Sequence, residues 1–254
     1  MLNDIRSQLA SPYISKYEDM ITQCALDYNC AHAYIQLPGH TPLPPDFDTT
    51  KLRRGPLISR LPRRSRAEVR QELSIPQHVN VLLLCFGGGH NHTFHLREEY
   101  LPAGWVCIVL DGPDRASSKQ LSGLPADRFF TVATDYYIPD LINASDCVLG
   151  KIGYGFVSEC LTCDTPLVYI SRSHWAEEGY LLDYLEANNM GVRMLLSDFD
   201  AGEWSKYLAD AETLRAKQTL LCDSSSSEEE GQRGRRSNAN AASEICALVR
   251  QVII

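Results

Sequence analysis

With 254 residues, 44% of them hydrophobic and 22% charged, the chain has a globular composition with material for one core and an appendage. A formal charge of −8 argues against a nucleic-acid or anionic-membrane surface, since both need clustered Lys and Arg to displace counterions. MLNDIRSQL lacks the apolar centre of a secretory signal, no run of about 18 apolar residues predicts a membrane span, and nine cysteines, an odd number with Cys85, Cys107 and Cys147 inside apolar runs, point to a reducing, cytoplasmic setting.

Tyr17, Met20, Ile21, Cys24, Ala25 and Tyr28 recur at three and four, a helical stripe over residues 15–29, and AHAYIQLP (31–38) reads as a strand. Residues 1–38 thus form a helix–strand remnant, and the Pro- and Gly-rich stretch 39–56 reads as a linker. The main domain is expected over 57–222. Ser65 and Glu68 have capping-box spacing, which predicts a helix from there to Leu73. VLLLCF (81–86), WVCIVL (105–110), DCVLG (146–150) and PLVYI (166–170) are continuously apolar, as strands covered on both faces are. FFTVAT (129–134) and GVRMLL (191–196) add two candidates, and helical stretches at 139–144, 157–163 and 177–188 alternate with the strands. This order predicts an α/β fold, a doubly wound Rossmann-like parallel sheet, with ligands beyond the carboxyl ends of its strands. Residues 214–222 should end the compact part. The polar, low-complexity stretch 223–243 predicts a disordered loop, and 244–254 a final helix.

Two loops could carry chemistry. Gly87-Gly88-Gly89 directly follows a buried strand, and glycines there let backbone amides approach an anion; a tight turn without a ligand would use them equally well. Gly150-Lys151-Ile152-Gly153-Tyr154-Gly155 opens a helix after another buried strand, so that free amides and the positive end of the helix dipole favour phosphate. Glu159, read as lying in the first helical turn, could cap the helix or accept hydrogen bonds from a ribose diol.

The run SDCVLGKIGYGFVSECLTCDTPLVYISR resembles the donor-nucleotide segment of GT-B enzymes such as UDP-glucuronosyltransferases and the bacterial peptidoglycan GlcNAc transferase. A closer resemblance, over most of 61–208, is to the glycosyltransferase-like front part of plant-type L-arabinokinases. It is carried by SRAEVRQELSI, VNVLLLCFGGG, LREEYLPAGWVCIVL, YYIPDLINASDCVLGKIGYGFVSE and EEGYLLDYLE. The resemblance implies the C-terminal, donor-binding domain of a GT-B fold and a UDP-sugar or related nucleotide sugar as partner. It would place Gly87, Gly88 and Gly89 along the diphosphate from one side. Lys151, Gly153, Tyr154, Gly155 and Ser158 would form the cradle on the other, with Glu159 on the ribose. Tyr136 and Tyr137 fall where the family faces the uracil, and Glu177 and Glu178 near the donor sugar, although the family's usual Asp-Gln pair is absent. Oriented amides can stabilise a leaving diphosphate without a metal, so neither cofactor nor metal is expected. A base for the acceptor would come from the other GT-B domain. No catalytic residue is therefore assigned, and the expectation is nucleotide-sugar binding, with transfer dependent on an acceptor domain, or a kinase domain, as partner.

Several rival readings are weaker. For an NAD-binding oxidoreductase domain Asp111 stands 24 positions after Gly87, near where a dinucleotide-binding acid would lie, but His92 occupies the third glycine's place. A sugar kinase's Gly-Ser-rich phosphate loop and Gly-x-x-x-x-Gly-Lys-Ser/Thr are both missing from the sequence. His90, His92 and His95 have mixed spacing and no partner carboxylate for zinc, Cys160 and Cys163 form a single C-x-x-C, and Glu228 to Glu230 read as a solvated cluster. The class-level rival is a non-catalytic nucleotide-sugar sensor or regulatory module.

Overall fold

A computed structural model describes residues 11–43, 47–86, 96–111, 123–172, 175, 177–224 and 240–253. Helix α1 (Ser11–Asn29) leads to β1 (Tyr34–Gln36) and β2 (Leu52–Arg54), after which α2 (Arg66–Glu72) opens the main domain. There follow β3 (Asn80–Cys85), β4 (Trp105–Asp111), β5 (Phe129–Ala133), α3 (Ile138–Ala144), β6 (Cys147–Gly150), α4 (Tyr154–Thr162) and β7 (Leu167–Ile170). The chain continues through α5 (Glu178–Ala187), β8 (Gly191–Met194), α6 (Leu196–Ala201), α7 (Ser205–Ser224) and α8 (Ala241–Ile253).

The six strands β3 to β8 form one parallel sheet in the order β5-β4-β3-β6-β7-β8. Their apolar runs are long because side chains pack on both faces. Val81, Leu83, Cys85, Val148, Leu167 and Tyr169 meet α2, α3, α4 and α5 on one side. Leu82, Leu84, Cys147, Leu149, Val168 and Ile170 meet Phe199 of α6 and Trp204, Leu208 and Ala211 at and within the start of α7 on the other. Such a sheet is doubly wound, and its order reverses between β3 and β6.

Four local outcomes differ from expectation. The stretch read as a linker carries β2, whose Leu52, Arg53 and Arg54 pair in parallel with Tyr34, Ile35 and Gln36. Gly55 continues this edge, its amide bonded to the Gln36 carbonyl, and a Cβ there would collide with Ile35 and with Ile245 of α8. β8 stops at Met194, and Leu196, read as strand, begins α6 instead. Helix α7 continues through Asp223 to Ser224, two residues into the stretch expected to be disordered, while 225–239 lie outside the described residues and α8 starts at Ala241.

Ser65 caps α2 as its spacing predicts: the Ser65 side chain accepts from the Glu68 amide while the Glu68 carboxylate accepts from the Ser65 amide. Ser65→Ala should cost about 1 kcal/mol of folding free energy, read from urea denaturation, and an unchanged midpoint would remove the cap from the stability argument.

At the amino ends of β3 and β6, Asp146 gathers Arg66, Arg70 and Arg215 and accepts the Val81 amide. Arg70 is fully buried and also donates to the carbonyls of Ala144, Gln77 and Val79. Desolvation pushes the pKa values of Arg70 and Arg215 down from the usual guanidinium value.

Candidate functional site

The order reversal puts the carboxyl ends of β3 and β6 side by side, with Cys85 opposite Gly150. Residues 87–89 follow β3 directly but lie outside the described residues, as do His90, His92 and His95. Gly150 is required by this pairing: a Cβ would overlap the Cys85 carbonyl oxygen and press on the Phe156 ring. The chain then turns through Lys151 and Ile152 into α4, whose N-cap is Gly153.

Helix α4 starts at Tyr154, not near Val157, so Glu159 lies in its second turn and does not cap it; the N-cap has no side-chain hydrogen bond. A Cβ built at Gly153 or Gly155 meets no described atom within 4 Å. Glycine inside a helix costs roughly 0.5–1 kcal/mol relative to alanine, and at exposed Gly155 no packing contact explains that cost. The first amides of this helix have no acceptor within the helix itself.

Beside this turn lies a cavity of about 560 Å³, walled by Leu37, Ile58, Cys85, Ile138 and Phe156 and bearing Glu159 and Arg60. Glu159 is 4% exposed, and its Oε1 accepts from Arg60 Nε at 2.6 Å. This bond holds the Arg60 guanidinium above its ordinary pKa. Among the described residues Arg60 is the sole partner of that carboxylate, bonded to Oε1, and Glu159 belongs to the cavity lining. Ser158 is fully buried, with its hydroxyl donating to the Gly155 carbonyl at 2.9 Å. Tyr154 is half-buried, which raises its pKa, and its hydroxyl accepts from the Ile58 amide.

Solved structures with this architecture include the glycosyltransferase of kitacinnamycin (14% identity, 95% of this chain and 66% of that one, TM-score 0.54). Others are apo UGT2 of Phytolacca americana (13%, 82% and 51%, TM-score 0.51) and CalG4, the calicheamicin glycosyltransferase (16%, 95% and 57%, TM-score 0.50). The fold is that of a GT-B glycosyltransferase-like domain. In sequence this GT-B-like chain is 40% identical over 199 residues to L-arabinokinase of Arabidopsis thaliana, a match that covers 78% of the chain and 18% of that protein. No protein-family model matches it.

The other expected site residues of the GT-B-like domain lie around the same end of the sheet, with their side chains engaged in different ways. The Tyr136 ring has Arg64 at 4.9 Å from its centroid, and its hydroxyl meets Glu72. Tyr137 lies under Arg63 at 4.0 Å, and its hydroxyl donates to the Leu61 carbonyl. Glu178 is buried and accepts from the amide and Nε of Arg172, whose guanidinium also donates to the Ile152 carbonyl in the glycine loop. The preceding Glu177 is half-buried at the N-cap of α5 and makes no side-chain cap bond.

Arg60, Arg172 and Asp140 bond to the candidate site residues or to the segments around them, and no local motif marks them. Asp140 is buried and accepts from the amides of Arg63 and Arg64 and from Arg64 Nε, which ties the segment before α2 to α3. Among the described residues no group of His, Cys, Asp and Glu could hold a metal, no disulfide is present, and no helix is long and apolar enough to cross a membrane. Cys160 and Cys163 are buried in α4 and at its end, and burial pushes the Cys160 thiol well up, as suits packing rather than redox chemistry.

Proposed function

We propose that the chain binds a nucleotide sugar, a UDP-sugar, in the cleft between β3 and β6, as the donor half of a GT-B glycosyltransferase-like protein related to L-arabinokinase. The observation that carries this reading is Glu159, a buried carboxylate in the lining of the cavity that has Arg60 as its one partner among the described residues. A carboxylate only accepts hydrogen bonds, so the matching ligand group is a donor such as a ribose hydroxyl. One helical turn away, the first amides of α4, which have no acceptor in the helix, and its dipole favour an anion, and hydroxyls beside an anion are what a nucleoside diphosphate offers. The cavity also falls within the roughly 300–1,000 Å³ typical of ligand pockets.

In this reading Gly153 and Gly155 give the diphosphate close access to the backbone, joined by Lys151, Tyr154 and Ser158 and, from the β3 side, by Gly87, Gly88 and Gly89. The segment bearing Tyr136 and Tyr137 faces the uracil, chiefly through its backbone, because Arg64 stands over the Tyr136 ring and both Arg60 and Arg63 stand over that of Tyr137. Glu177 is the better placed of the glutamate pair for the sugar, since Arg172 engages Glu178. The reaction supported would be displacement at the anomeric carbon with UDP leaving, in a reducing cytoplasmic setting and with an acceptor supplied by another domain.

UDP at 100 times its dissociation constant should add roughly 2.7 kcal/mol to stability and raise Tm. Glu159→Ala should weaken UDP binding by about 1.5–3 kcal/mol, the range for a hydrogen bond to a charged group. Calorimetry giving equal affinities for variant and parent would return Glu159 to a structural role.

A further inference from the structure

Ile58, Ser59 and Arg60 line the cavity in the strap that leads into α2, and several bonds other than that of Arg60 hold this strap. The Ile58 amide donates to Tyr154, Ser59 Oγ meets Thr162 Oγ1 at 2.7 Å, and the Arg63 and Arg64 amides reach Asp140. The Arg60 side chain itself is 57% exposed, whereas that of Glu159 is 5% exposed. Water can therefore take over the guanidinium at little cost, while the carboxylate needs a partner from within the protein or from a ligand. The Arg60 guanidinium carbon already stands 5.5 Å from the centroid of the Tyr137 ring, which Arg63 also covers at 4.0 Å. Arg60 can leave Glu159 by side-chain rotation with the strap backbone in place.

We propose that Arg60 competes with ligand hydroxyls for Glu159, and so sets how strongly the site distinguishes a ribonucleotide from its 2′-deoxy counterpart. The inference rests on the donor-site reading of Glu159 given above. In the parent protein a ribose diol that takes both oxygens of Glu159 must displace Arg60 from Oε1, and the loss of this charge-assisted hydrogen bond offsets much of what the second hydroxyl gains. A 2′-deoxyribose forgoes one contact and has less cause to displace the arginine. Arg60 thus compresses the difference between the two ligands, and its removal widens it.

The test is calorimetric affinity for UDP and 2′-deoxy-UDP with the parent chain and Arg60→Ala. The expected result is that the ratio favouring UDP rises at least about fivefold in the variant, which corresponds to about 1 kcal/mol. Arg60→Gln, which keeps the stem and removes the charge, should move the ratio in the same direction and serves if the alanine variant does not fold. A parent that binds UDP with a ratio unchanged in the variants overturns the competition, and a falling ratio shows instead that Arg60 orients Glu159 for the ligand. Absence of UDP binding to parent and variants alike overturns the donor-site reading and this inference with it.

Discussion

Asp146→Ala should destabilise the fold by about 3–5 kcal/mol, the range for removing one partner from a buried ion pair. The carboxylate is common to Arg66, Arg70, Arg215 and the Val81 amide, so its loss strips four donors at once where β3 and β6 begin. Arg70 suffers most, because it is fully buried and cannot regain water. Its carbonyl partners remain, and they satisfy hydrogen bonds without neutralising charge. Asp146→Asn keeps the shape and loses the charge, so a smaller but clear loss is expected. Urea denaturation decides: a shift below about 1 kcal/mol for the alanine variant would mean that the three arginines re-solvate, against the burial of Arg70.

Gly150→Ala and Gly155→Ala should move stability in opposite directions although they sit five positions apart in one loop and helix. At Gly150 the added methyl meets the carbonyl of Cys85, which is backbone in the paired central strand, so relief requires β3 and β6 to separate. A loss of about 3 kcal/mol or more is expected, at the upper end for overpacking. At Gly155 the methyl meets no described atom, and alanine should stabilise the helix by up to about 1 kcal/mol. The same methyl would stand where the diphosphate approaches, so Gly155→Ala should gain Tm without ligand and lose affinity for UDP. A stabilised variant with undiminished UDP affinity would move the diphosphate away from the first turn of α4.

The strands were legible because burial on both faces suppresses alternation, and VLLLCF or PLVYI leaves few other readings. The capping box of α2 was legible for a similar reason, since its bonds join residues three apart. Strand β2 escaped notice because Leu52–Arg54 carries little apolar signal and gains its pairing from β1. The start of α4 was placed too late, because glycines at 153 and 155 depress helix propensity just where the helix begins. That error mattered for Glu159, whose capping role depended on its being in the first turn.

The basic stretch Arg53 to Arg70 shows where local reading stops. It is short, and its Arg60, Arg64, Arg66 and Arg70 each meet a carboxylate, Glu159, Asp140 or Asp146, some 76 to 99 positions away. Sequence alone determined the six strands of the main sheet, their alternation with helices such as α2, α3 and α5, and the glycine loop that opens α4, since these depend on neighbours within a few residues. Which end of the sheet holds the cavity followed from alternation as a general rule. That Glu159 faces a strap arginine, that Glu178 is taken by Arg172, and that Gly150 cannot bear a side chain were decided only in three dimensions. Hydrogen bonds and steric overlap act over a few ångströms of space, whatever distance along the chain separates the groups.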